Sequence, residues 1–276
     1  MPKIDDVCIH GESFKVTYLR DDDFFSKHWR DLENGKGEVE TFNFFTEFAN
    51  QDTTVLDIGA WIGTTGLFLA RKAKKVFLFE ADPVAIESLQ ANLNVNPDIN
   101  NISVVHGAVS AESGRTKIYS DASGNNSGSS LYKTAGKSSW DVPKIDLDQF
   151  IVEQSITEPV LVKMDIEAAE YDVIPGTSFW RQFNDLSICL SIHPHLIANS
   201  VTGNGLIAKI RRRIRVVTRT WQLLSIFQYF PYRINVNLEP VTRFNICKQL
   251  LFAGHIPSSC KELFLTKKQY AKQESD

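Results

Sequence analysis

Cysteine is scarce and scattered in this chain of 276 residues. Cys8, Cys189, Cys247 and Cys260 form no C-x-x-C pair and no cluster with histidine at metal-ligand spacing. That pattern argues against a disulfide framework or a structural zinc site and fits reduced thiols. Long hydrophobic runs are missing too, since no segment approaches the roughly 18 apolar residues that span a bilayer. The opening stretch MPKIDDVCIHGESF carries acids where a signal peptide needs a basic region and an apolar run, so a cytoplasmic location is expected. Net charge is small, −3, which offers no general attraction to nucleic acid, and no nucleic-acid partner is expected. No internal repeat is visible, and oligomeric state is not legible.

What is present is an ordinary globular composition, 43% hydrophobic and 23% charged. The length suits one large core. Residues 1–50 are mixed: 14–19 alternates like a short strand and 39–49 reads as an aromatic-rich helix. They are expected to cap a single compact domain over 51–276. From Thr54 the pattern changes to short apolar runs at 54–59, 75–80, 102–109, 159–166 and 186–193, each followed by a helix-period segment. Runs rich in Val, Ile, Leu and Phe, spaced by helices, predict an α/β doubly wound parallel sheet. Residues 121–139 are dense in Gly, Ser and Asn, a surface loop by composition or a lid over a ligand.

The first run leads into TVLDIGAWIGTTG, which places Asp57, Gly59, Ala60, Trp61 and Gly63 across a strand-to-helix turn. Such a turn brings backbone close to a ligand, and the following helix aims its amides and positive dipole end at it. The spacing from Gly59 is G-x-x-x-G-x-x-G, not the G-x-G-x-x-G of dinucleotide sites. Asp57, just before the turn, suits an amino-bearing ligand better than a pyrophosphate. Glu80 closes the second run, placed to accept hydrogen bonds from ribose hydroxyls, with Ala81 behind it. The pair of features points to an adenosine-containing ligand.

The D-I-G-A-x-x-G turn, F-E-A-D-P at 79–83 and V-K-M-D-I-E-A-A-E-Y-D-V-I-P-G at 162–176 together resemble the FkbM family of S-adenosylmethionine-dependent methyltransferases. The resemblance covers roughly residues 37–195. It implies a class I methyltransferase, Rossmann-like sheet of strand order 3-2-1-4-5-7-6 and O-methylation of sugars, glycans or other hydroxylated natural products. The implied cofactor contacts are Asp57, Gly59, Ala60, Trp61, Gly63, Glu80, Ala81, Ala108 and Asp165. Trp61 stands where the family usually has Asn, Ala81 where it has Pro, and Ala168 where it has Gly. The alanine predicts no left-handed backbone at position 168.

Methyl transfer to a hydroxyl needs alignment and removal of a proton. Alternation puts Leu161, Lys163, Asp165 and Glu167 on one face of the fourth run. Lys163 then lies inside the sheet and requires an anion, with Asp57 or Asp165 the natural partners. His193 arrives at the end of the fifth run, beside Asp165, with a pKa expected near neutrality. His193 is expected as general base, with Asp165 as the alternative and Glu167 as an acceptor contact. Glu170 and Asp172 are expected to serve a helix start, and His195 to touch the substrate. His10, His28, His106 and His255 have no evident constellation. Asp165, Glu167 and His193 are also a potential Mg²⁺ set, which is disfavoured because magnesium prefers oxygen ligands to imidazole.

Residues 209–219 carry six basic side chains, Lys209, Arg211, Arg212, Arg213, Arg215 and Arg219, and no acid. They read as a solvated helix face or as a contact to an anionic membrane surface or substrate. Residues 262–268 look like a final strand, expected to pair with one near 221–229. A nicotinamide-dependent oxidoreductase and a non-catalytic binding module of the same fold are the alternative functions.

Overall fold

The computed structural model describes residues 3–19, 23–120, 129–130 and 138–268. Twelve strands are assigned in chain order: β1 (Ile4–Ile9), β2 (Glu12–Thr17), β3 (Thr54–Ile58), β4 (Lys75–Glu80), β5 (Ile102–His106), β6 (Ala108–Ser110), β7 (Gly114–Ser120), β8 (Ser138–Asp146), β9 (Val160–Met164), β10 (Leu186–Ser191), β11 (Tyr232–Asn235) and β12 (Glu262–Thr266).

Seven of them form the central sheet in the order β11-β12-β10-β9-β3-β4-β5. Counted along the chain within that sheet, the order is 3-2-1-4-5-7-6, as expected. β5, β4, β3, β9 and β10 run parallel, while β12 is antiparallel to both β10 and β11. β3, β4, β9 and β10 are buried on both faces, which is why they read as unbroken apolar runs, while β5 at the sheet edge is only half-buried. Along β9 the two faces feed different layers of core: Val160, Val162 and Met164 pack with Tyr171, Trp180 and Phe179, and Leu161 packs with Phe44, Leu67 and Phe264.

Two expected elements differ. The third run splits at Gly107 into β5 and β6, and β6 joins a separate three-stranded sheet with β8 and β7. A Cβ at position 107 would lie 2.9 Å from the Pro143 carbonyl and 2.8 Å from Ile145, so glycine is what lets β8 cross there. The partner of β12 is β11, not a strand near 221–229. Residues Leu206–Leu223 are helical and Leu224–Tyr229 continue as a 3-10 helix. Thr220, Leu223, Leu224 and Phe227 are buried, spaced i, i+3, i+4, i+7 as a helix requires. The aromatic content of that stretch masked its period.

The first 50 residues supply the hairpin β1-β2, the helix Asp23–Glu33 and the helix Val39–Phe48. Val7, Trp29, Phe42 and Phe45 are buried in the same side-chain cluster as Val55, Phe68 and Val76 of the sheet layer. Among the described residues no helix is long and apolar enough to cross a membrane.

Candidate active site

The site forms at the carboxyl ends of β3, β4, β9 and β10, where open α/β sheets hold ligands. Its first part is the turn after β3. Gly59 has φ +87, and a Cβ there would fall 2.0 Å from the Asp165 carbonyl, so only glycine lets the β3 and β9 ends close on each other. Trp61 also adopts the left-handed region, φ +49, a conformation asparagine tolerates more readily than tryptophan. Its amide donates to Glu80 Oε2 at 2.7 Å. Its ring packs against Phe25 and His28, with centroids 5.6 and 5.0 Å away. The N-terminal helix Asp23–Glu33 thereby clamps the turn, and His28, which looked isolated in sequence, is part of the clamp and bonds Thr64 Oγ1 at 3.2 Å.

Glu80 is only 9% exposed. Its Oε1 accepts the Ala81 and Asp82 amides at 2.8 and 2.7 Å, so three backbone donors fix the carboxylate. A carboxylate has about four lone-pair positions, which leaves acceptor capacity toward the cleft. Burial pushes the Glu80 pKa up to about 7, the backbone amides opposing it.

A cleft of about 620 Å³, open mouth included, runs along this turn. Of the expected cofactor residues it is lined by Gly59, Trp61, Glu80, Ala81, Ala108 and Asp165, together with Phe79, Val109 and Ile166. Asp57, Ala60 and Gly63 do not line it. Ala60 and Gly63 spend their amides inside the turn, on the Phe79 and Ala60 carbonyls. Asp57 is fully buried behind the turn, where Thr65 Oγ1 donates to its Oδ2 at 2.6 Å. An acid at the end of a central strand can face the sheet interior as well as the ligand, and sequence alone does not separate the two.

Lys163 answers Asp57. Its Nζ lies 3.9 Å from Asp57 Oδ1 and 3.8 Å from Asp165 Oδ2, and donates to the Gly59 carbonyl at 3.2 Å. Burial disfavours its charge, yet Asp165 and Asp57 outweigh that and hold its pKa above the usual lysine range. The lysine is a buried clasp joining β3, β9 and the glycine turn.

The second part of the site is KMDIEAAE itself. Glu167 and Ala168 lie in a turn before the helix Glu170–Gly176, with φ +48 and +76. The absence of left-handed backbone expected at Ala168 is therefore corrected. Ala168 is wholly buried, and the Ser130 hydroxyl donates to the Glu167 carbonyl at 2.7 Å, so surrounding structure holds a conformation alanine does not prefer. Glu167 accordingly sits ahead of the helix. Ser129, Ser130, Ser138 and Ser139 are the described part of the candidate lid: Ser138 and Ser139 open strand β8 rather than a loop, while Ser129 lines the cleft and its hydroxyl donates to Asp82 at 2.8 Å. The rest of that candidate, 121–128 and 131–137, lies outside the described residues.

Glu170 differs most from its expected role. It is fully buried, and its Oε1 accepts the His193 amide at 2.9 Å while lying 3.2 Å from His193 Nδ1. That leaves His193 Nε2 directed at Asp165 Oδ1, 3.5 Å away, and Glu167 Oε1, 3.8 Å away. Burial opposes the imidazolium, but the Glu170 hydrogen bond and the charges of Glu170, Asp165 and Glu167 raise the His193 pKa to about 9. The near-neutral value expected for His193 is corrected by these three acids. The only sequence signal for the Glu170 role was its position three residues after Glu167, which a helix start explained equally well. Asp172, by contrast, faces outward and pairs with Arg219 at 2.6 Å.

A second cleft of about 1180 Å³, open mouth included, opens on the other side of Asp165. Its lining mixes Lys163 and Lys261, the imidazoles His193, His195 and His255, and the carboxylates Glu38, Asp165 and Glu262. His195 and His255, distant in sequence, thus share a cavity with His193. Asp165 lines both clefts. Donor atoms of Asp165, Glu167 and His193 all lie within 4.8 Å of one another, a set that could hold a divalent ion, and one whose imidazole suits a transition metal better than magnesium.

Residues 57–200 match the Methyltransferase FkbM domain. The chain belongs to that family. It is an S-adenosylmethionine-dependent methyltransferase, and the nicotinamide reading falls away. Over 191 residues it is 25% identical to the hexuronic acid methyltransferase AglP of Haloferax volcanii, covering 69% of this chain and 77% of that protein. Among solved structures it is similar to the methyltransferase FkbM of Methylobacillus flagellatus, with 17% identity, coverage of 62% of this chain and 44% of that one, and a TM-score of 0.35. It is also similar to SMU.1697c, a putative methyltransferase of Streptococcus mutans crystallised with SAH, with 15% identity, coverage of 56% and 72%, and a TM-score of 0.31.

The cleft at Glu80 fits the cofactor on its own geometry. Glu80 retains acceptor capacity for ribose, and Phe79, Val109 and Ile166 offer an apolar wall for a base.

Proposed function

We propose that this methyltransferase transfers the methyl group to a hydroxyl oxygen of a sugar, with His193 as general base. The observation that carries the reading is Asp165, which lines both clefts while His193 Nε2 stands 3.5 Å from it on the side of the larger one. The alternating donors and acceptors of the larger cleft suit a polyhydroxylated ligand. The named activity of the Haloferax volcanii relative, on hexuronic acid, favours an acidic sugar, and Lys261 offers its carboxylate a counter-charge.

When bound, S-adenosylmethionine supplies an electrophilic methyl on a sulfonium, which makes S-adenosylhomocysteine a neutral leaving group. The chain's own residues do the rest. Glu80 anchors the ribose and the Gly59–Trp61 turn positions the remainder along β3. Asp165 holds a neighbouring hydroxyl of the sugar and so aligns the reacting oxygen with the methyl carbon, its lone pair forming the new C–O bond as the C–S bond breaks, while the reacting hydroxyl keeps its one proton for His193. His193 Nε2 takes the hydroxyl proton, and Glu170 stabilises the imidazolium that results. With a pKa of about 9, His193 is a stronger base than ordinary histidine but is mostly protonated at neutrality, so activity is confined to its deprotonated fraction.

Incubation with S-adenosylmethionine and separate pools of hexuronic-acid saccharides, neutral saccharides, amino sugars and RNA, read by mass spectrometry and NMR, tests the assignment. A methyl ether on a saccharide, formed equally with a chelator present, is the expected product. Methylation only at nitrogen or only of RNA would overturn it.

A further inference from the structure

The helix Leu206–Leu223 is not used by the chemistry, and its exposed side is unusual. Ala208, Val216, Thr220 and Leu223 are buried against the protein. At about 3.6 residues per turn, Leu206, Ile207, Ile210, Ile214 and Trp221 fall on the nearly opposite side. They are 73, 68, 50, 54 and 43% exposed, so a second apolar stripe faces outward. Lys209 and Arg213 border it on one edge and Arg211 and Arg215 on the other. Those four cations make no hydrogen bond or ion pair among the described residues, although the Arg213 guanidinium lies back over Gly254 while Lys209, Arg211 and Arg215 remain exposed, and the helix contains no acid. Arg212 and Arg219, by contrast, are turned toward the protein and bond the Val201 and Tyr171 carbonyls.

A solvated face would have been polar throughout. An apolar stripe flanked on both edges by free cations is instead the pattern of a helix lying in a bilayer interface, apolar side chains among the acyl chains and cations reaching out to lipid phosphates. The neighbouring helix Arg243–Phe252 adds exposed apolar side chains, with Phe244 65% and Phe252 73% exposed. Its Arg243 stacks over the Trp221 ring at 3.9 Å. The chain as a whole is net negative, −3, so this face is a local positive pole on an acidic protein and points to one occupant.

We infer that the protein docks through this face onto an anionic lipid bilayer. The consequence for the enzyme is positional. A groove bounded by Lys209, Ile210 and Arg213 shares Ala198, Val216, Leu250 and Gly254 with the larger cleft of the active site, so docking sets a side entrance of that cleft at the membrane surface. The inference stands apart from the acceptor assignment and holds whichever hydroxyl is methylated.

Co-sedimentation with vesicles tests it, using phosphatidylcholine alone and phosphatidylcholine mixed with phosphatidylglycerol. The full chain is expected to pellet with the mixed vesicles and to remain in solution with the neutral ones. R211E/R215E and I210S/I214S are each expected to weaken vesicle binding by about tenfold or more, since each interfacial cation or buried apolar side chain contributes on the order of a fivefold change in affinity. All four positions are exposed, and unchanged S-adenosylhomocysteine binding verifies that the variants are folded. Failure of the wild type to pellet with anionic vesicles, or equal pelleting of wild type and both folded variants, would overturn the proposal.

Discussion

Glu170 grips His193 at two points, accepting its backbone amide at 2.9 Å and lying 3.2 Å from Nδ1 through the same oxygen. The second oxygen of this fully buried carboxylate has no hydrogen-bond partner among the described residues, so its negative charge is spent largely on the imidazole. The backbone bond fixes where β10 ends and the side-chain bond fixes which nitrogen faces the clefts. A helix-start acid has become the element that orients the base.

The raised pKa of His193, about 9 against an ordinary 6.5, sets a pH dependence with two readouts. The group stabilises the folded state fully below pH about 6.5, and that contribution is lost as pH rises through about 9. It amounts to on the order of 3 kcal/mol. Urea denaturation of wild type and H193Q should show a gap that is wide near pH 6 and narrows toward pH 9.5, and a gap independent of pH would contradict this. In catalysis, log kcat/KM should climb with pH and level off near 9.

Replacing Glu170 by glutamine keeps the size of the side chain and removes its charge. The ascending limb of the rate profile should then move to lower pH by about one unit or more, because the largest favourable partner of the imidazolium is gone. A merely structural role would lower activity without moving the limb, and an unmoved limb counts against Glu170 as the orienting group.

Glu80→Ala removes the ribose acceptor and the anchor of the Trp61 amide together. S-adenosylhomocysteine should bind about 10- to 100-fold more weakly in calorimetry, the effect of one or two charge-assisted hydrogen bonds. Wild-type affinity in the variant would place the ribose elsewhere.

Lys163→Met leaves the wholly buried Asp57 without its counter-charge. Breaking such a pair costs on the order of 3 to 5 kcal/mol, while removing both charges costs less. K163M should therefore lose more stability in urea titration than K163M/D57N. Equal losses would show that Lys163 is not the partner Asp57 depends on.

Much of this arrangement was legible in the sequence, and the exceptions share a cause. Of the parallel strands, β3, β4, β9 and β10 declared themselves because burial on both faces makes them continuously apolar, and strict alternation along the fourth run placed Lys163 and Asp165 on one face with Asp57 among the natural partners. Gly59 and Glu80 were legible as cleft residues because the glycine turn and the strand-end acid point there when taken together, and both line the cleft. What stayed hidden depended on direction and distance across the fold. Asp57 faces inward although it borders the ligand turn, and Glu170 reaches a histidine 23 residues away in sequence. Ala168 adopts a backbone that its own side chain disfavours, held there by neighbours such as Ser130. His28, His195 and His255 acquire surroundings only when the chain closes on itself.

The account rests on His193 as the group that takes the acceptor proton, and single-turnover methyl transfer by H193A measures that directly. Affinity for S-adenosylhomocysteine should be unchanged while the transfer rate falls by about 100- to 10,000-fold, the usual contribution of a positioned general base. A transfer rate equal to that of the wild type, at unchanged cofactor affinity, would contradict the account and leave Asp165 as the base.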